Sequence, residues 1–142
     1  MLKLLVADDE RILREAVCYL IDWKSIGIEL AASCKNGREA YEEACRTKPD
    51  IILTDIKMPG LSGLDLVEKL SEPGRVLEFI LLTGYADFEY AHRALSHRVH
   101  HYLLKPCNEQ QIIEAVQQAA QSIYTRRQLQ QMEPTCAGVA RP

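Results

Sequence analysis

Five apolar runs of strand length punctuate the chain, at Leu2 to Ala7, Ile28 to Ser33, Ile51 to Thr54, Phe79 to Thr83 and Val99 to Leu104, and each leads into a stretch with helical spacing. Runs this continuously apolar belong to strands covered on both faces, and a helix after each strand returns the chain to run parallel to its neighbour. The alternation predicts a parallel sheet with helices on both sides, wound by right-handed crossovers. Ile12, Leu13, Ala16, Val17, Leu20 and Ile21 are spaced as one apolar stripe on the first helix. Asn36, Ser62, Asp87 and Asn108 stand where later helices would be capped, Asn108 with Gln111 in the pattern of a capping box. Trp23, Tyr41, Phe79 and Phe88 are expected to pack, and Met58 and Pro59 to form a turn.

With 142 residues, 47% of them hydrophobic and 26% charged, the chain fits one compact domain with an ordinary core. A net charge of −3 supplies no basic field for nucleic acid, and no apolar run approaches the roughly 20 residues of a membrane helix. Neither nucleic acid nor a membrane is an expected partner of this domain. Five scattered cysteines without a CxxC pair, and an N-terminus that enters the first strand pattern without signal-peptide anatomy, read as reduced thiols in a cytoplasm.

Three acids end two of the apolar runs: Asp8 and Asp9 close the first and Asp55 closes the third. A carboxylate at the end of a buried strand is costly unless it emerges at the sheet edge and meets a cation. In a flavodoxin-like order, 2-1-3-4-5, ligands bind beyond the carboxyl ends of the first and third strands, where the winding reverses. Thr83 and Lys105 end the fourth and fifth runs and add a hydroxyl and an ammonium to the same edge. Three carboxylates suit a hard divalent ion, Mg²⁺ first among them, and the lysine and threonine suit a phosphoryl group. Asp55 is the candidate nucleophile, because a carboxylate can attack phosphorus to give an acyl phosphate. Each residue alone has an ordinary reading: the Asp8–Asp9 pair as a helix cap, Thr83 as a satisfied loop hydroxyl, Lys105 as a solvated strand end. Their joint placement at one edge favours a site.

The residues DD at 8 and 9, Asp55 in LTDIKMPGLSG, TG at 83 and KP at 105 together resemble the receiver domain of two-component response regulators, over residues 2 to about 122. The resemblance implies a flavodoxin-like (βα)5 domain over residues 1–122, followed by a helix extension and a linker or artificial end over 123–142. It implies that Asp9 and Asp55 bind Mg²⁺ directly, Asp8 through water, and that the backbone carbonyl of Lys57 completes the protein's share. Asp55 would accept a phosphoryl group from a sensor histidine kinase. Thr83 would then turn to a phosphoryl oxygen, Lys105 would pair with another, and Tyr102 would change rotamer as part of the switch. Lys57 and Tyr85, two residues beyond Asp55 and Thr83, would tune loss of the phosphoryl group, and Gly84 would leave room for it. A phosphoacceptor of this kind is a signalling domain that assists its own phosphorylation and dephosphorylation rather than an enzyme. The family's Lys105–Pro106 peptide is expected to be cis.

IDWKSIGIE at 21–29 and GYADFEYAHRAL at 84–95 resemble the subgroup whose receivers precede an AraC-type DNA-binding domain, which implies transcription regulation through an output domain absent from this chain. Relatives usually carry glycine where Arg98 stands and often acids where His100 and His101 stand, so a homodimer through the face of the fourth helix, fifth strand and fifth helix is placed in question. His92, His97, His100 and His101 are expected at the surface, since adjacent strand residues point to opposite faces and His100 and His101 would not chelate one metal together. Two rivals remain: a degenerate receiver that binds partners without phosphorylation, and an aspartyl-phosphate hydrolase. The hydrolase would need an acid two residues after its nucleophile, where this chain has Lys57.

Overall fold

A computed structural model describes residues 1–72, 74–95, 99 and 101–140, with the backbone alone for 85, 90, 94, 95 and 131–140. His97, Arg98 and His100, singled out above, lie outside the described residues. The chain alternates β1 (Leu2–Ala7), α1 (Arg11–Tyr19), β2 (Ile28–Cys34), α2 (Gly37–Thr47), β3 (Ile51–Asp55), α3 (Gly63–Leu70), β4 (Glu78–Thr83), α4 (Phe88–Leu95), β5 (His101–Leu104) and α5 (Glu109–Ala140), with 3-10 turns at Trp23–Ile26 and Tyr85–Asp87. The sheet is parallel throughout, in the order β2-β1-β3-β4-β5 expected of a flavodoxin-like fold. The fifth strand begins at His101 rather than at Val99, which is buried ahead of it.

Strand alternation sends apolar side chains to both faces. Leu2, Leu4, Val6, Ile51, Leu53, Ile80 and Leu82 meet Val17, Ile21, Ile112, Val116 and Ile123 of the α1–α5 layer. Leu5, Ile52, Phe79 and Leu81 meet Ala40, Ala44, Leu66, Val67, Leu70 and Ala91 of α2, α3 and α4. Trp23 packs in the first layer, and its indole N–H donates to the Val17 carbonyl at 3.0 Å. The stripe expected on α1 is only partly buried: Val17 and Ile21 are in the core with Leu13 packed against it, whereas Ile12 and Leu20 are exposed. Residues 13, 17 and 21 form one i,i+4 row and 12, 16 and 20 the next, and the sheet covers the first row while leaving Ile12 and Leu20 of the second exposed.

Three of the four expected caps are seen, at α2, α3 and α5; Asp87 ends the 3-10 turn before α4, with no capping hydrogen bond among the described residues. Asn36 Oδ1 accepts the Glu39 N–H at 2.8 Å, Ser62 and Asp65 form a reciprocal capping box, and so do Asn108 and Gln111. Asn36→Ala is expected to lower unfolding stability by about 1 kcal/mol. A urea midpoint unchanged by that substitution would show that the cap contributes nothing.

The lower edge of the sheet carries a polar cluster with no counterpart in the sequence reading. Glu78 opens β4 almost fully buried, and its carboxylate pairs with His101 Nε2 at 3.1 Å and with Arg126 of α5. His101 is therefore not the surface histidine expected: its side chain is only 11% exposed. Nearby, Arg127 pairs with Asp50 at 2.5 Å and Gln130 Nε2 donates to the Gly74 carbonyl at 3.1 Å, so α5 is tied to the sheet well past Ile123. Burial pushes the Glu78 carboxyl up, but the His101 hydrogen bond and the Arg126 guanidinium outweigh it and hold the group below its ordinary value. Among the described residues, no helix is long and apolar enough to cross a membrane.

Candidate functional site

Strand register brings the acids together. Ala7 pairs with Thr54, Asp55 with Leu82 and Thr83 with Leu104, so Asp8, Asp55, Thr83 and Lys105 leave the same edge of the sheet, Thr83 one residue and Lys105 two beyond the level of Asp55. Carboxylate oxygens of Asp8, Asp9 and Asp55 lie within 4.8 Å of one another. Asp8 and Asp55 are buried and Asp9 is exposed, which gives the cluster one wet side. The Glu10 N–H donates to Asp8 Oδ1 at 2.9 Å, and Arg14 Nη1 donates to the Asp8 carbonyl at 2.8 Å, fixing the turn from β1 into α1.

Lys105 crosses from β5 into this cluster. Its Nζ lies 3.0 Å from Asp55 Oδ2 and 3.4 Å from both Asp8 Oδ2 and Glu10 Oε1. Burial disfavours the ammonium, but Asp55, Asp8 and Glu10 outweigh it and hold Lys105 above the ordinary lysine value. Asp8 shifts upward for the complementary reason: burial raises its carboxyl and Asp55 adds repulsion, which the Glu10 N–H and Lys105 only partly offset. Lys105 thus pairs with three carboxylates while Asp9 lies beside Asp8 and Asp55, so acids outnumber the lysine in the pocket. Hard oxygen donors with one open side fit a hard divalent cation that keeps part of its water, as Mg²⁺ does. The Lys105–Pro106 peptide is cis.

The residue that permits this packing is Gly63, at the start of α3. A Cβ there would sit 2.4 Å from the Asp55 carbonyl oxygen, and the Gly63 N–H donates to the Ile56 carbonyl at 2.8 Å. Glycine lets the helix terminus approach the backbone of the strand end that carries Asp55.

Thr83 is fully buried at the end of β4, with its hydroxyl donating to the Gly84 carbonyl at 3.0 Å. The Lys105 N–H donates to the Thr83 carbonyl at 2.9 Å, which links the ends of β4 and β5. Apart from its two chain neighbours, no described residue lies within 4 Å of where a Cβ on Gly84 would sit. Tyr102 is half-buried on the α4 side, edge-on to Phe88 at 5.9 Å and to His92 at 5.4 Å between centroids. Its buried hydroxyl has no hydrogen-bond partner among the described residues. Tyr85 opens the 3-10 turn after Gly84, and its side chain is outside the description. Lys57 points its Nζ at Asp87 Oδ2, 3.4 Å away.

The structure thus gathers Asp8, Asp9, Asp55 and Lys105 in one cluster and sets Thr83 at the same edge beside Gly84, while Lys57 turns to Asp87 and Tyr102 packs against Phe88 and His92. Sequence reading missed Glu10, Arg14, Gly63 and Asp87. Glu10 could have been found as the third acid of DDE, and Asp87 was assigned only a capping role. Arg14 acts by a side-chain hydrogen bond to the Asp8 carbonyl and carries no local signal, while Gly63 closes the LTDIKMPGLSG motif but was given no role there.

The response regulator receiver domain matches residues 4–117. YesN of Bacillus subtilis, an uncharacterized transcriptional regulatory protein, is 48% identical over 118 residues, which is 83% of this chain and 32% of that protein. HptR of Staphylococcus aureus, a transcriptional regulatory protein, is 35% identical over 112 residues, 79% of this chain and 44% of its own. The chain therefore spans about a third to somewhat under half of the length of these curated relatives. The receiver domain of AraT from Geobacillus stearothermophilus superposes with a TM-score of 0.81 at 36% identity, covering 89% of this chain and 98% of that one. A two-component transcriptional regulator AraC from Clostridium phytofermentans gives 0.82 at 28% identity, with the same coverages of 89% and 98%. Strand order, acidic edge and sequence likeness agree, and the chain belongs to the response regulator receiver domain family.

Proposed function

We propose that this domain is a phosphorylatable switch in which Asp55 accepts a phosphoryl group from a sensor histidine kinase. The observation that carries this reading is Lys105 Nζ, 3.0 Å from Asp55 Oδ2 inside a cluster of three further carboxylates. A carboxylate oxygen of Asp55 bonds to phosphorus as the phosphorus–nitrogen bond of a phosphohistidine breaks and its electron pair returns to the imidazole. Lys105, already charged and aimed at that oxygen, neutralises a phosphoryl oxygen. Mg²⁺ held by Asp9, Asp55 and the Lys57 carbonyl, with Asp8 acting through water, would neutralise further charge as the group transfers. Thr83 exchanges its Gly84 partner for a phosphoryl oxygen, and Tyr102, whose hydroxyl has no described partner, changes rotamer with it. Added charge then raises the population of an active surface.

In this reading the domain acts in the cytoplasm, and it assists its own phosphorylation and dephosphorylation without turning over a substrate. Past Ile123, α5 continues to Ala140, and in this reading it leads toward an AraC-type DNA-binding output domain through which phosphorylation regulates transcription. Incubation with Mg²⁺ and acetyl phosphate, read by intact mass, is expected to add one phosphoryl group to the wild type. None is expected on Asp55→Ala or without Mg²⁺. A wild type that gains no adduct and binds no beryllofluoride would instead mark a binding module that works without phosphorylation.

A further inference from the structure

Beyond Ile123 the helix α5 runs along the lower edge of the sheet, opposite the acidic site. Ile123 is fully buried, whereas Tyr124 and Leu129 are exposed, so apolar packing does not hold this arm. Polar contacts do: Arg126 pairs with Glu78, Arg127 with Asp50 at 2.5 Å, and Gln130 Nε2 donates to the Gly74 carbonyl at 3.1 Å. Asp50 lies just ahead of β3, where its carboxylate also accepts the Lys3 N–H at 2.8 Å, and Gly74 lies in the connection before β4. The Glu78 contact differs from these two, because its carboxylate also holds His101 Nε2 at 3.1 Å and so reaches β5. Glu78 and His101 open the two strands whose other ends lead to Thr83 and Lys105. One buried carboxylate therefore joins the arm to both strands that carry the proposed switch groups.

We propose that the α5 arm restrains the switch: its Arg126–Glu78 contact favours the phosphate-free arrangement of β4 and β5, and opening that contact makes the site easier to fill. The inference rests on Asp55 being the phosphoacceptor. When Thr83 gives up the Gly84 carbonyl and Lys105 follows a phosphoryl oxygen, the upper ends of β4 and β5 shift. Strands of six and four residues, joined by a continuous ladder from Ile80–His101 to Thr83–Leu104, carry that shift to their starts. Glu78 is 4% exposed and holds His101 and Arg126 at once, so its geometry suits one offset of the two strands. A contact made in one arrangement and stretched in the other biases the balance toward the first. His101 also borders a groove of about 290 Å³ lined by Gln111, Glu114 and Gln118 of α5, which leaves β5 space to move against the helix. The binding linkage is reciprocal: a site that loosens the arm when filled is filled more readily when the arm is loosened.

The test uses beryllofluoride with Mg²⁺ as the phosphoryl mimic, with affinity read by fluorine NMR titration and the arm read by amide hydrogen exchange. On binding, exchange over residues 124–130 of the wild type should quicken about two- to fivefold. Arg126→Gln changes a side chain that is 45% exposed, so the core stays intact. It should bind beryllofluoride about two- to fivefold more tightly, with an arm that exchanges fast from the start. Arg126→Lys, which keeps the charge, should stay near the wild type. Arg127→Gln loosens the arm at Asp50, away from β5, and should quicken exchange with a smaller gain in affinity. An Arg126→Gln affinity equal to or below that of the wild type, or an equal gain from Arg127→Gln, would overturn the inference. A wild type that binds no beryllofluoride would instead overturn the phosphoacceptor reading and this inference with it.

Discussion

Asp8→Asn is expected to make the metal-free protein more stable while weakening its hold on Mg²⁺. Asp8 is buried, and its carboxylate lies within 4.8 Å of those of Asp9 and Asp55. Two like charges at that separation, in a medium of effective dielectric constant 20, repel by on the order of 3 kcal/mol. Lys105 offsets much of this, but it also serves Asp55 and Glu10, and it keeps both of those partners when Asp8 is neutralised. Asparagine retains the oxygen that accepts the Glu10 N–H. After the exposed Asp9 is discounted for solvent screening, a net gain of about 1 kcal/mol remains, or a rise of roughly 3–4 °C in thermal midpoint. Because Asp8 is proposed to reach the ion through water, Mg²⁺ affinity should fall about 10- to 100-fold. Calorimetric unfolding with and without Mg²⁺ reads both effects. A lower midpoint for the metal-free variant would show that Asp8 is a structural anchor rather than strained for cation binding.

Glu78→Ala has the opposite sign. It removes the carboxylate that joins β4 to His101 of β5 and Arg126 of α5, and it leaves the largely buried His101 without that partner. The full cost of stranding a buried charge does not apply, because the Arg126 side chain is 45% exposed and can turn to water. A loss of about 2–3 kcal/mol follows, with a midpoint lowered by roughly 6–10 °C. Glu78→Gln keeps an acceptor for His101 and should lose less. Since the Glu78 carboxyl is held below its ordinary value of 4.5, its contribution is fully present above that pH and disappears as pH falls through the lower folded value. Wild type and Glu78→Ala should therefore converge in stability in acid. A gap that stays constant from neutral pH down through the carboxylate range would rule out the charge as its cause.

The parts of this molecule legible in sequence are those that repeat or stand at a strand end. Strands apolar on both faces announced the covered parallel sheet, and acids closing β1 and β3 announced the edge where Asp8, Asp9 and Asp55 meet. Capping residues announced α2, α3 and α5. What could not be read depends on partners distant in sequence. His101 looked like a surface residue until a strand 23 residues earlier supplied Glu78, and Arg126 lies 48 residues from that carboxylate. Ile12 and Leu20 satisfied the helical period, yet the sheet covers one row of α1 and not two. Gly63 is an ordinary helix-start glycine in sequence and becomes specific only where α3 meets the Asp55 carbonyl.

The central claim is that Asp55, among clustered carboxylates, carries the phosphoryl group. Borohydride reduces an aspartyl phosphate to homoserine and leaves free carboxylates alone. Treating the acetyl-phosphate-modified protein with borohydride and mapping its peptides should place homoserine at position 55 and at no other. Homoserine at Asp8 or Asp9, or its absence from a protein that has gained phosphoryl mass, would contradict the assignment.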